Sequence, residues 1–190
     1  MPPPARPPRR DSVRNRTRIL AAARSHFAET DGEVSMQAIA RSAGVAVGTL
    51  YNHFPTKADL AAAVVDSFVS DVAEHAEGVN RSVMTGAESP GQAVPEVLRF
   101  VLDTWAANHA AKLAAAALGM TRSERSPDEN RAADAIAAIV HAAQREGSVR
   151  ADLTLADLYL LIESAPTSAP KDARDRWLDL VLDGLRSREQ

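Results

Sequence analysis

At 190 residues and 45% apolar content, the chain is one large domain or two small ones, with enough material for a core. It has no cysteine, which excludes a disulfide framework, a thiolate metal site and a cysteine nucleophile, and points to a reducing cytoplasm. The net charge of −3 averages two unlike parts: nine Lys and Arg against five Asp and Glu through residue 60, then thirteen against twenty. A basic end on an acidic body implies that one end meets a polyanion, with nucleic acid and an anionic membrane surface both open.

No apolar run approaches the roughly 20 residues of a membrane span. The opening MPPPARPPRRDS has arginines but no apolar stretch after them, so it does not read as a secretory signal. Residues 1–10 read as a disordered basic arm, whose Arg6, Arg9 and Arg10 either reach a minor groove or stay solvated. From Asp11 or Ser12 the pattern predicts a helix to about Glu29, with Val13, Ile19, Leu20, Ala23 and Phe27 on one face. Ser35 caps a short helix that faces Met36, Ile39, Ala40 and Ala43 inward and stops at Gly44. A third helix runs from about Val47 to His53 and ends at Pro55. Thr56 then caps a fourth, with Asp59 placed for a capping box. That helix should stop near Gly78.

Residues 78–93 read as a connection and the best candidate for a domain junction, and Pro95 suits the first turn of a helix carrying Val97, Leu98, Val101, Leu102 and Trp105. Helical character continues to Met120, with a break near Asn108 left open. After a polar loop over 121–130, helices are predicted for 131–146, from about 154, and for 171–186. No segment alternates at period two. The chain reads as all-α, with a boundary expected between residues 11–58 and 59–190.

Two short helices joined by an Ala-Gly-Val turn, with longer helices on either side, form a helix-turn-helix. In that motif the second helix enters the major groove and its neighbours cross the backbone. Here that places Val47 against a thymine methyl and lets Thr49 and Asn52 bond base edges or phosphates. Gly48 removes a side chain where helix and backbone come close, while Leu50 and Phe54 face the core. Gln37, on the preceding helix, is a further candidate contact. Arg14, Arg16 and Arg18 crowd one helix start and Lys57 another. A helix start disfavours cations by about 0.3–1 kcal/mol each, so stability alone would not place them there, whereas a phosphate backbone would.

GTLYNHFPTKADL, with IARSAGV before it and RILAAARSHFAE further upstream, resembles the DNA-binding domain of the TetR family of bacterial transcriptional regulators. The resemblance runs from residue 14 to about 65. It implies that the third helix reads an operator and that Tyr51, His53 and Lys57 contact phosphates. Ala46 departs from the pattern, since relatives often place Ser or Thr there as a cap. More loosely, AAQREGSVRADLTLADLYLLI and RWLDLVLDGLR resemble the family's C-terminal effector and dimerisation domain. The fold then expected is an N-terminal three-helix DNA-binding domain followed by a helical ligand-binding and dimerisation bundle.

By the same resemblance the last two long helices pair into a four-helix dimer interface. Its residues would be Leu158, Leu161, Ile162, Trp177, Leu178, Val181, Leu182 and Leu185; packing of these stripes within one protomer is the alternative. Phe100, Trp105, His109, Met120, His141 and Tyr159 are the C-terminal residues that could line a ligand cavity. The implied function is a homodimeric repressor, cytoplasmic and nucleoid-associated when bound to DNA, released from its operator by a small molecule. A ligand-independent regulator of the same fold is the second reading. No histidine pair has metal-ligand spacing, no cofactor motif is present, and no phosphate loop or paired nucleophile and base suggests an enzyme.

Overall fold

The computed structural model describes residues 9–29, 35–117 and 126–187. Among the described residues nine helices follow in order: α1 (Arg9–Glu29), α2 (Met36–Ala43), α3 (Val47–His53), α4 (Lys57–Met84), α5 (Pro90–Ala107), α6 (His109–Ala117), α7 (Pro127–Glu146), α8 (Leu155–Ser164) and α9 (Lys171–Leu185). The only ladder-like pairing among them is an isolated antiparallel bridge between Val149 and Arg186. The chain divides into two compact units: the first takes the described residues up to Ser67 with those from Ala110, and the second takes Phe68–His109 with those from Ser126. The division thus falls inside α4 rather than at residue 58.

In the first unit, Ile19, Ala23 and Phe27 of α1 pack with Met36, Ile39, Ala40 and Ala43 of α2 and with Leu50, Phe54, Leu60 and Val64. Val13 is the exception on the predicted face of α1, at 65% exposure. Ser35 caps α2 and Gly44 ends it at φ +62°, the left-handed geometry that glycine adopts without strain. Ala46 offers α3 no side-chain cap. The Thr56–Asp59 capping box forms in both directions at 3.0 Å.

The second unit corrects several expected boundaries. α4 passes through Gly78 and ends at Met84, with Gly86 at φ +72° as its stop. A glycine inside a helix costs only about 1 kcal/mol, which a long packed helix absorbs. Helix α5 begins at Pro90, whose missing N–H costs nothing in a first turn, and Pro95 lies inside it. Helix α7 starts at Pro127 rather than Arg131, because Ser126 and Glu129 form a reciprocal capping box within the segment read as loop. Asn108 does separate α5 from α6.

The second core gathers Val94, Val97, Leu98, Val101 and Leu102 of α5, Ile139 and Val140 of α7, Leu158 of α8, and Leu178 and Leu185 of α9. Polar ties close its rim. Arg131 grips Glu77 through two hydrogen bonds at 2.8 and 2.9 Å, and Arg99 reaches Asp175 at 3.4 Å. Of the arm arginines, Arg9 and Arg10 belong to the first turn of α1, and Arg6 lies outside the described residues.

Candidate nucleic-acid interface

α3 turns one side inward and leaves the other open. Leu50 is fully buried and Phe54 nearly so, whereas Val47 and Tyr51 are exposed at 38% and 42%. Gly48 and Asn52 are exposed as well; Thr49 and His53 are half-buried. A helix of seven residues with one buried side chain has little packing of its own. It is held by what precedes and follows it.

Contacts from α1 frame it. Arg18 of α1 donates to the Gly44 carbonyl at 3.0 Å, gripping the turn between α2 and α3. His26 and Ser42 meet at 2.8 Å, tying α1 to α2. Arg16 places its guanidinium 5.0 Å from the centroid of the Phe54 ring, a cation–π distance, and the His53 ring lies 6.2 Å from that same ring. Two of the predicted contact residues, Arg16 and His53, therefore gather around Phe54 at the end of α3.

Lys57 opens α4 directly after the Thr56 cap and is half-buried. Gln37 is exposed at the start of α2, where its side-chain oxygen lies 2.9 Å from the Ser35 hydroxyl. Gly48 has no heavy atom within 4 Å of where a Cβ would stand. The fold therefore has no steric need for a glycine there. Arg18, which the sequence groups with Arg14 and Arg16, also ties down the turn. Sequence spacing could not reveal this, because the acceptor lies 26 residues away.

The predicted ligand-pocket residues of the second unit do not converge. Trp105 lines an apolar cleft with Leu102, Leu161, Trp177 and Val181 that encloses only about 20 Å³. His141 lines a separate cavity of about 180 Å³ between α7 and the start of α8. Phe100 stacks on His75 at 3.9 Å, and His109 bonds Thr167 at 3.0 Å. Tyr159 is half-buried, and Met120 lies outside the described residues.

The predicted dimer stripe also divides. Leu158, Leu178 and Leu185 are 2%, 2% and 7% exposed and belong to the protomer's own core. Leu161, Ile162, Trp177, Val181 and Leu182 are partly buried against that core. The large apolar side chains that α8 and α9 leave in the open are instead Leu160 and Leu180, at 65% and 54%.

Comparison with known proteins agrees with this architecture. The pattern of "Bacterial regulatory proteins, tetR family" matches residues 19–64. That of "Transcriptional regulator SbtR-like, C-terminal domain" matches residues 89–187, more than half of the chain. The chain belongs to the TetR family. A TetR transcription regulatory protein from Mycobacterium vanbaalenii is similar at 34% identity and a TM-score of 0.74, over 95% of this chain and 99% of that one. A TetR regulator from Streptomyces coelicolor is similar at 30% identity and a TM-score of 0.71, over 92% and 99%. An HTH-type transcriptional regulator from Staphylococcus aureus is 31% identical over 96 residues, 50% of this chain and 52% of that protein. The chain thus spans about half the length of the curated relatives it matches. TetR proteins are DNA-binding transcriptional regulators, not enzymes. Among the described residues, no helix is long and apolar enough to cross a membrane.

Proposed function

We propose that this TetR regulator is a homodimeric repressor whose α3 enters the major groove of an operator. A small molecule bound in its second unit would release it. The observation that carries the DNA half is the open side of α3. Val47, Gly48, Tyr51 and Asn52 stay exposed and Thr49 half-exposed, while Leu50 and Phe54 anchor the helix. Tyr51, His53, Lys57, Arg16 and Gln37 would hold phosphates; Val47, Thr49 and Asn52 would read base edges.

Two copies are needed to present two α3 helices about 34–36 Å apart, one turn of duplex. Leu160 and Leu180, bare on α8 and α9, suit such self-association. An effector that changed the spacing of the two α3 helices by a few ångströms would stop both from sitting in successive grooves. A crystallised gamma-butyrolactone receptor (ArpA-like protein) has the same fold at 18% identity, which makes a receptor role compatible with this architecture. A ligand-independent regulator is the second reading, favoured by the small free volume beside Trp105.

The test is an anisotropy titration on duplex DNA across a salt series. Lys57→Ala and Tyr51→Ala should weaken binding to all sequences, and Lys57→Ala should reduce the slope of log K against log salt by about 1. An unchanged slope for Lys57→Ala would remove that residue from the phosphate contacts. If no metabolite in a thermal-shift screen alters operator affinity, the effector half fails and the ligand-independent reading takes its place.

A further inference from the structure

Between α7 and the start of α8 lies a cavity of about 180 Å³ that opens to solvent on the side of His141 and Thr154, both exposed. An apolar cavity of about 150 Å³ inside a protein stays dry and accepts benzene. Its walls are Ala137, Val140, Leu153, Leu155 and Leu158, with His141 and Thr154 as the polar lining. No lysine, arginine or acid is among them, so the lining holds no permanent charge with which to pair an ion.

The two polar residues differ in what they have left to offer. The Thr154 hydroxyl donates to Asp157 Oδ2 at 2.6 Å and accepts from the Asp157 N–H at 3.2 Å, so its one proton is committed to the α8 cap. The His141 imidazole is exposed and, among the described residues, makes no hydrogen bond or ion pair. An imidazole donates or accepts according to its tautomer. Apolar walls with one unspent, orienting polar group are the pattern of a small-molecule site.

We infer that this cavity binds a compact, uncharged ring compound about the size of a substituted benzene, carrying one hydroxyl or carbonyl group that hydrogen-bonds to His141. The volume matches one ring, and the aliphatic side chains of Val140, Leu153, Leu155 and Leu158 disfavour sugars and other polyhydroxylated molecules. Leu158 lies in the wall of both this cavity and the cleft beside Trp105. An occupant therefore bears on α8, the helix that leaves Leu160 in the open. That regulatory consequence rests on the dimer-and-effector reading proposed above, whereas occupancy of the cavity does not.

The experiment titrates the full chain without DNA, using phenol as the probe and benzene as its hydroxyl-less match. Methyl chemical shifts and calorimetric heats report binding. Phenol should saturate and shift the methyls of Val140, Leu153, Leu155 and Leu158. Ala137→Leu, which fills the cavity, should weaken phenol at least tenfold. His141→Ala, at an exposed position that the fold does not use, should erase the preference for phenol over benzene. Melting curves of both variants verify that they are folded. Absence of saturable binding, shifts centred on Trp105, or an unchanged phenol-to-benzene ratio in His141→Ala would each overturn the assignment. Phenol binding that Ala137→Leu leaves intact would do the same. Cavity-specific binding that leaves operator affinity unaltered would uphold the site and count against the effector role alone.

Discussion

Arg18 and Gly44 lie 26 positions apart and meet at 3.0 Å, guanidinium to carbonyl, across the turn that sets α3 against α2. The acceptor sits at the C-terminal end of α2, where the helix dipole favours a cation. A side chain read as one of several phosphate-seeking arginines is thus part of the frame that orients the reading helix.

The first prediction follows from that contact. Arg18→Ala should destabilise the protein by about 0.5–1.5 kcal/mol, the net worth of a surface hydrogen bond to a helix end. Gly44→Ala should cost about 1–2 kcal/mol because its φ is +62°, and its new Cβ would also press on the Arg18 guanidinium. Since each change disturbs the same contact, the double variant should lose less than the two added together. Urea unfolding of the four proteins gives the coupling directly.

Gly48 should separate stability from binding. A Cβ there meets nothing, and glycine in a helix is less stable than alanine by roughly 0.5–1 kcal/mol. Gly48→Ala should therefore raise the melting temperature and, if α3 enters the groove as proposed, still weaken DNA binding, because the added methyl would meet the backbone of the duplex. An unchanged affinity would mean that α3 does not approach DNA over this residue.

Self-association and folding should respond to different leucines. Leu160→Glu and Leu180→Glu should shift the protein toward monomer in light scattering, lower operator affinity and leave the fold intact. Leu158→Ala and Leu178→Ala, each removing a side chain that is 2% exposed, should cost about 2–5 kcal/mol of stability. Dimers that survive both glutamate substitutions would place the interface elsewhere.

Glu88 gives a pH test. Burial, then a hydrogen bond shared with Glu96 and that residue's charge, hold its carboxyl above the usual 4.5. The folded state therefore binds more protons than the unfolded chain between those two values, and stability falls as pH rises through that window. Glu88→Gln removes this loss, so the variant should gain on the parent as pH rises above the usual carboxylate value. His75 Nε2 lies 3.5 Å from Glu96 Oε1, the carboxylate that Glu88 faces. Glu77 and Asp175 act in the opposite sense. Their carboxyls are lowered by hydrogen bonds from Arg131 and Lys171, so their contribution is present above the unfolded values and lost as pH falls through the folded ones. Melting temperatures of parent and variant across that range supply the check.

Much of this protein was legible in the linear chain because the relevant forces act over a few residues. Ser35 and Gly44 bracket α2, Thr56 and Asp59 start α4, and Leu50 and Phe54 anchor α3; each depends on neighbours within about one helical turn. The errors have local causes of the same kind. Gly78 looked like a stop, but a long packed helix tolerates it and Gly86 ends the helix. Pro95 looked like a start, but Pro90 supplies one.

What the sequence determined by itself is the class: a basic helix-turn-helix whose third helix turns Leu50 to the core and leaves Val47, Gly48, Tyr51 and Asn52 outside. Only the tertiary structure decided how the second unit spends its apolar residues. The stripes on α8 and α9 are wide enough for two seams, and either seam satisfies helical periodicity. Packing against α5 and α7 chose the one holding Leu158, Leu178 and Leu185, and left Leu160 and Leu180 outside. The same packing sent Trp105 to a nearly filled cleft and His141 to an open cavity. Burial of this sort depends on partners from tens of residues away, and a helical repeat carries no record of them.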